Sequence, residues 1–200
     1  MIECIAPRSK AEFIRYYHFR WLLLREPWQQ EVGSEQDELE DQAIHRMLID
    51  ENENILGVAR LHFTEQNTAQ IRYMAVAENK QGQGLGKQII AELEYQALLR
   101  GAQVITLNAR ELAVKFYQRI GYQLGKLSHV LYGELTHFSM TKKLGFLAKN
   151  EKNIIKKLQD TWYQTIPISK AMKIAICYYD DFSMITHCDP TFNKNLHNTM

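Results

Sequence analysis

The sequence predicts a mixed α/β fold: a mostly antiparallel central sheet flanked by helices, followed by a short, incomplete α+β extension. Three observations carry this expectation. Apolar residues recur at helical spacing up to Leu24, give way to alternation and β-branched enrichment between His45 and Val76, and return to helical spacing after Gly86. Three of the ten glycines crowd into Gln81–Lys87, between a strand pattern and a helix pattern. The order of elements, two helices, three strands, helix, strand, helix, two strands, lays helices over a mixed sheet.

Each element has a local reason. Ser9 and Glu12 stand at the spacing that lets a hydroxyl and a carboxylate satisfy each other's helix-start amides, so the first helix begins there. Phe13, Tyr16, Tyr17, Arg20, Trp21 and Leu24 form its stripe, and Pro27 ends it. Ser34 and Asp37 open a short acidic helix running to about Gln42. His45–Asp50 and Ile55–Phe63 read as hairpin strands around the polar turn Glu51–Asn54. Thr64–Ala69 is a second turn and Gln70–Val76 a third strand. The loop Ala77–Gly86 feeds a helix, Lys87–Arg100, with Ile89, Ile90, Leu93 and Ala97 on its apolar face and Gly101 as its stop. A strand, Gln103–Asn108, then precedes a helix, Glu111–Ile120, capped by Gly121. Strands at Tyr122–Leu127 and Thr136–Lys142 complete a first domain, residues 1–144. A polar linker, 145–153, leads to a C-terminal segment, 154–200, with a helix from Ile154 to about Thr165 and strands Met172–Tyr179 and Phe182–Cys188.

Composition excludes several classes of function. With 46% hydrophobic and 24% charged residues the chain is globular, and a net charge of +1 gives no field suited to a nucleic-acid backbone or an anionic membrane. The three cysteines, Cys4, Cys177 and Cys188, show no C-x-x-C pairing, which argues against a disulfide framework or a cysteine zinc site; no metal is expected. The strongly apolar run Trp21–Leu24 is far shorter than a membrane span, and the N-terminus has no signal-peptide pattern. A reducing cytoplasm is the expected setting.

The glycine-rich loop is the chemical signal. A loop of this composition lets backbone N–H groups converge at a helix start, where unpaired donors and the dipole favour a phosphate, each charge contributing roughly 0.3–1 kcal/mol. It is not a nucleotide P-loop, because Gly86-Lys87 is followed by Gln88 and Gln81 occupies the place of the first glycine. Nor is it a dinucleotide fingerprint, whose G-x-G-x-x-G spacing it lacks.

Arg72-Tyr-Met-Ala-Val76 followed by Gln81-Gly-Gln-Gly-Leu-Gly86 resembles motif A of the GNAT superfamily of N-acetyltransferases. Asn108 at a strand end and Phe116-Tyr117-x-x-x-Gly121-Tyr122 resemble its motif B. The likeness covers residues 9 to 143 in the family's order of elements. It implies that acetyl-CoA is the cosubstrate, its pyrophosphate held by Gln81, Gly82, Gln83, Gly84, Leu85, Gly86 and Lys87. Its pantetheine arm would pair with Met74, Ala75 and Val76, with Asn108 meeting the arm's amides. Tyr117 would stand near the sulfur as general acid, while a Met74 or Val76 amide polarises the thioester carbonyl.

The general base is unassigned by this likeness. Some family members carry a glutamate where this chain has Gln70, which cannot usefully accept a proton; Glu26, Glu134 and His137 are candidates acting through water. The acceptor, a small-molecule or protein amine, would meet the stretch Arg20, Trp21, Arg25, Glu26, Trp28 and Glu31, whose basic and aromatic residues suit an acyl or carboxylate-bearing molecule. A homodimer is compatible with this reading.

The segment Leu158–Met172 resembles the opening helix of a hotdog-type thioesterase domain that follows an acetyltransferase in some bacterial proteins, and Asn195-x-His197 resembles the approach to that fold's central helix. The segment is expected to be partial, and a thioester-binding or thioesterase-type function with the first domain as binding module is the alternative.

Overall fold

The computed structural model describes residues 2–65 and 67–145. The linker, helix and strands expected after Gly145, together with Cys177, Cys188 and His197, lie outside the described residues.

The first helix starts where its capping residues require. The Glu12 amide donates to Ser9 Oγ at 3.2 Å, and Glu12 Oε2 accepts from the Ser9 amide at 2.7 Å, fixing α1 at Lys10–Leu24. It ends at Arg25, and Pro27 sits in the single 3₁₀ turn Glu26–Trp28 that follows. A short strand absent from the sequence expectation, β1 (Glu3–Ile5), pairs with β2 (Ile44–Ile49). Three residues are too few to show a period, and the pairing that makes β1 a strand is some forty residues away.

The acidic helix expected over 34–42 does not form. Only the 3₁₀ turn Glu40–Gln42 is regular there, after a bend at Gly33 whose φ is +102°. The reason is electrostatic: the Asp37 and Glu40 carboxylates are held by buried arginines from α1 and the sheet, and the segment's own amides reach them only in local turns, Leu39 N–H to Asp37 Oδ1 at 2.9 Å and Asp37 N–H to Glu40 Oε1 at 3.3 Å.

β3 (Ile55–Glu65) and β4 (Thr68–Val76) form a tighter hairpin than the six-residue turn expected, with Glu65 paired to Thr68. α2 runs from Leu85 to Leu99, two residues earlier than its apolar stripe suggests, because Gly84 at φ +82° serves as its N-cap. β5 is Val104–Arg110. The helix expected over 111–120 divides into a 3₁₀ turn, Glu111–Ala113, and α3, Val114–Arg119. β6 (Gln123–Leu131) and β7 (Leu135–Lys143) make a longer hairpin than expected.

Together these strands form one seven-stranded sheet in the order β1-β2-β3-β4-β5-β7-β6, in which every neighbouring pair is antiparallel except β4 and β5. The mixed, mostly antiparallel expectation is therefore met. One face buries Leu61, Ile71, Ile105, Leu107 and Met140 against Ile89, Ile90 and Leu93 of α2. On the other, Tyr16 of α1 packs with Met47, Val58 and Ala75. Side chains here contribute roughly 1.5–3 kcal/mol each on full burial.

Two irregularities position the site. The β4–β5 ladder runs from Thr68↔Val104 to Ile71↔Leu107 and stops, so beyond it the two strands part. At the same level a bulge sets Tyr73 and Met74 of β4 opposite Ala59 alone, with Tyr73 at φ +53°. The bulge reverses the alternation: Tyr73 joins the α1 face, Met74 packs on the α2 face, and Ala75 returns to the α1 face. Tyr16 holds the distortion in place by donating its hydroxyl hydrogen to the Ala59 carbonyl at 3.0 Å.

Candidate active site

The glycine loop occupies the open end of β4. Gly82 and Gly84 have φ of +75° and +82°, values a side-chain-bearing residue reaches only at a cost of about 1–2 kcal/mol. Gly84 brings no side-chain cap to α2, which leaves the amides of its first turn pointing at solvent. Gly86 has a different reason for being glycine: a Cβ there would lie 3.0 Å from Met74 Cε and 3.0 Å from Phe116 Cζ. Gln81, Gly82, Gln83, Gly84 and Lys87 are exposed, Gly86 is half-buried, and Leu85 is buried as the anchor of the turn. Gln81 Nε2 reaches back to the Val76 carbonyl at 3.4 Å and ties the loop to the strand.

The edge of Met74, Ala75 and Val76 that faces β5 has no strand partner among the described residues, since the ladder has already ended. Asn108 lies on the opposing wall, exposed, in register with Ser139 of β7. Tyr117, from α3, is 7% exposed and donates its hydroxyl hydrogen to the Met74 sulfur at 3.0 Å. Burial pushes its phenol well above the ordinary tyrosine range, so the hydroxyl keeps its proton. Thus the loop, the strand edge and Tyr117 converge at one end of the sheet, with Asn108 across the gap.

On the α1 face the gap is bordered by charge. Arg20 and Arg60, each fully buried, share the Glu40 carboxylate at 2.7 and 2.6 Å. Arg60 also binds both oxygens of Asp37, at 2.5 and 2.9 Å. Arg72 and the Tyr73 hydroxyl add hydrogen bonds to Asp37 Oδ2 at 3.0 Å each. The Tyr73 ring stands between four guanidiniums, those of Arg20, Arg25, Arg60 and Arg72, at 4.2 to 5.5 Å. Burial alone raises the Asp37 carboxyl, but the Arg60 guanidinium, the Leu39 amide and the Tyr73 hydroxyl overcome it and hold the group well below the usual carboxylate range.

The acceptor candidates separate. Arg25 turns toward Tyr73, with Nε on the Ser34 carbonyl at 2.9 Å. Trp28 stacks on Tyr132 of the β6–β7 turn, ring centroids 6.0 Å apart. Glu26 is exposed on its 3₁₀ turn, and Glu134 is exposed in the β6–β7 turn. Trp21 is only partly buried, stacked on His18, with Nε1 donating to the Gln30 carbonyl at 3.0 Å. His137 is buried on β7, in register with Arg110 of β5. Its Nδ1 lies 2.7 Å from the Leu135 carbonyl, which places the proton on Nδ1 and the lone pair on Nε2. Burial lowers its pKa; the Leu135 carbonyl opposes this, while His129, Arg110 and Arg25 add to it.

Residues that sequence reasoning passed over are Asp37, Tyr73 and Arg110 as parts of this site. The last lay two residues past the expected strand end, Tyr73 needs the bulge to face α1, and Asp37 is brought in by the distant side chains of Arg60, Arg72 and Tyr73. Among the described residues no group of three or more His, Cys, Asp or Glu side chains is placed to hold a metal, and no helix is long and apolar enough to cross a membrane.

A mostly antiparallel sheet that parts beside a glycine-capped helix is the fold of acyl-CoA-dependent N-acetyltransferases. Residues 13–122, more than half of the chain, match the acetyltransferase (GNAT) family, and the chain belongs to it. Residues 155–200 match a second family, described as "Putative thioesterase (yiiD_Cterm)". Bacillus subtilis (strain 168) YjcF, an uncharacterized N-acetyltransferase, is 29% identical over 116 residues, 57% of this chain and 81% of the relative. The crystal structure of a GNAT-family acetyltransferase from Staphylococcus aureus Mu50 superposes with a TM-score of 0.61 at 15% identity, over 72% of this chain and 100% of that one. An aminoglycoside 6'-N-acetyltransferase complexed with coenzyme A gives 0.61 at 13% identity, over 74% of this chain and 99% of that one.

Proposed function

We propose that residues 1–144 transfer an acetyl group from acetyl-CoA to an amine, and that residues 145–153 link this domain to a thioesterase-like segment, 154–200. The observation that carries the proposal is the junction of the unpaired Met74–Val76 edge with the buried hydroxyl of Tyr117. The amides of Gln81–Lys87 take the pyrophosphate, and the pantetheine arm completes the interrupted ladder between β4 and Asn108.

The acceptor nitrogen attacks the thioester carbon from the α1 face, forming the C–N bond. A backbone amide of Met74 or Val76 stabilises the oxyanion. The nitrogen passes its proton to His137 Nε2, directly or through water, the role Gln70 cannot fill. Collapse breaks the C–S bond, and the departing thiolate takes the proton of Tyr117, which bulk water restores. Release of amide and CoA balances the reaction.

Isothermal titration with acetyl-CoA tests the reading, with Gly84→Glu alongside as a variant that sets a carboxylate and a strained φ at the cradle. Micromolar binding lost in the variant supports it; no binding by the folded native chain overturns it. The match of residues 155–200 favours a second reading, hydrolysis or binding of CoA or carrier-protein thioesters. Thiol release from acyl-CoA at the same rate with and without amines would select it.

A further inference from the structure

The charges bordering the gap are unevenly matched. Arg20, Arg60 and Arg72 share the Asp37 and Glu40 carboxylates. Arg25 and Arg110 have no such counter-charge among the described residues. Arg25 places Nε on the Ser34 carbonyl at 2.9 Å and Nη1 on the Leu24 carbonyl at 3.1 Å, which fixes its guanidinium and leaves Nη2 without a hydrogen bond among the described residues. Arg110, half-buried at the end of β5, makes no side-chain hydrogen bond or ion pair with any described residue, so its whole planar fork is available. Burial lowers the pKa of Arg110 first and the Arg25 charge lowers it further, with Tyr132 opposing both. A fold that holds two partly desolvated like charges together without a carboxylate is repaid when an anion enters between them.

The surroundings narrow the anion. The fork of Arg110 suits the bidentate geometry of a planar carboxylate, with Arg25 Nη2 as a second donor. Arg110 and His137 are register partners with Cα atoms ~4.5–5.5 Å apart, so a group on the first lies one short spacer from the second. The stacked rings of Trp28 and Tyr132 tie the 3₁₀ turn that Arg25 opens to the turn of the β6–β7 hairpin, whose β7 strand pairs with Arg110. We propose that Arg25 and Arg110 hold the carboxylate of the acceptor, which makes the acceptor class small amines bearing a carboxylate, amino acids above all. This rests on the acetyl-transfer reading for its consequence, though not for its geometry.

The test is calorimetric titration of the full chain, with and without CoA, using L-amino acids, each beside its amide, and phosphoethanolamine beside ethanolamine. At least one amino acid is expected to bind about tenfold or more tightly than its amide. Arg110→Gln is expected to remove that preference while CoA affinity stays as in the native chain and the melting temperature stays level or rises, since a repulsion between like charges is relieved; Arg25→Gln should weaken it in the same direction. Equal or absent binding of acids and amides, or a preference that survives Arg110→Gln, overturns the subsite. Tighter binding of phosphoethanolamine than of any amino acid overturns the choice of carboxylate. Amino-acid preference without CoA binding would overturn the transfer reading and leave the subsite standing, whereas CoA binding without preference would do the reverse.

Discussion

The hydroxyl of Tyr117 points at the sulfur of Met74, 3.0 Å away, and this contact joins the helix after β5 to the bulged strand β4. It fixes the tyrosine oxygen at the level where the sheet parts. Burial keeps the phenol protonated across the neutral range, the state a general acid needs before a thiolate departs. Tyr117→Phe keeps the ring packing against Phe116 and Tyr122 and loses only the hydroxyl. The expected outcome is a fall in kcat of about 100-fold or more with CoA affinity unchanged. Steady-state kinetics beside calorimetry checks it; a variant as fast as the native enzyme removes Tyr117 from the chemistry.

Gly86 and Gly82 should respond differently to the same change. An alanine Cβ at 86 meets Met74 and Phe116 at 3.0 Å, both partly buried, so it pushes on the contact that seats Tyr117. Gly86→Ala is expected to cost about 1–3 kcal/mol of stability and to lower kcat as well as CoA affinity. At Gly82 a Cβ meets nothing within 4 Å, and only the φ of +75° resists. Gly82→Ala should therefore cost about 1–2 kcal/mol or less and act on CoA affinity alone. Urea melts and acetyl-CoA titrations of both variants separate the two cases.

Much of this arrangement is legible in the chain. The capping pair Ser9 and Glu12, the alternation through Ile55–Phe63 and the glycines before Lys87 each act through neighbours a few residues away, so local physics reports them. What local physics misses is decided by distant partners. Ser34–Gln42 carries good helix-start residues, yet Asp37 and Glu40 are drawn off by Arg60 and Arg20, from another strand and another helix. The bulge at Tyr73 leaves no mark in the sequence because Tyr73, Met74 and Ala75 suit a regular strand. Its cause is the single residue, Ala59, set against two, and its consequence is to turn Tyr73 toward the guanidiniums. Arg110 followed the strand farther than its apolar pattern did, because pairing with His137 of β7 extends it.

His137 predicts a pH dependence. Its imidazole is active as a base only when neutral, and its pKa lies below the ordinary histidine value for the reasons given above. Activity should therefore be full at neutral pH and fall as pH drops through a value below about 6.5. His137→Asn should abolish that limb and lower kcat/KM by about 100-fold or more. In Arg110→Gln one of the charges that lower the pKa is gone, so the limb should move to higher pH. The pH profile of kcat/KM in the three proteins checks the sign; a limb that stays in His137→Asn assigns the base elsewhere.

Asp37 predicts how the fold responds to acid. Its carboxyl is held below the ordinary aspartate value by Arg60, Leu39 and Tyr73 against the opposing effect of burial. A group whose folded pKa is depressed contributes stability that is complete above its unfolded value, about 3.9, and is lost as pH falls toward the folded one. Stability should thus decline from about pH 5 downward. Asp37→Asn leaves Arg60 with Glu40 as its remaining carboxylate and takes one acceptor from Arg72 and Tyr73. Removing one partner of a buried pair costs about 3–5 kcal/mol, and the surviving Glu40 places this variant at the lower end of that range at pH 7. Because the titrating group is gone, the gap to the native protein should narrow as pH falls from 5 to 2. Thermal melts of both proteins across that interval measure it: parallel curves, with a constant gap, would show that Asp37 is not the carboxylate whose ionisation the arginines stabilise.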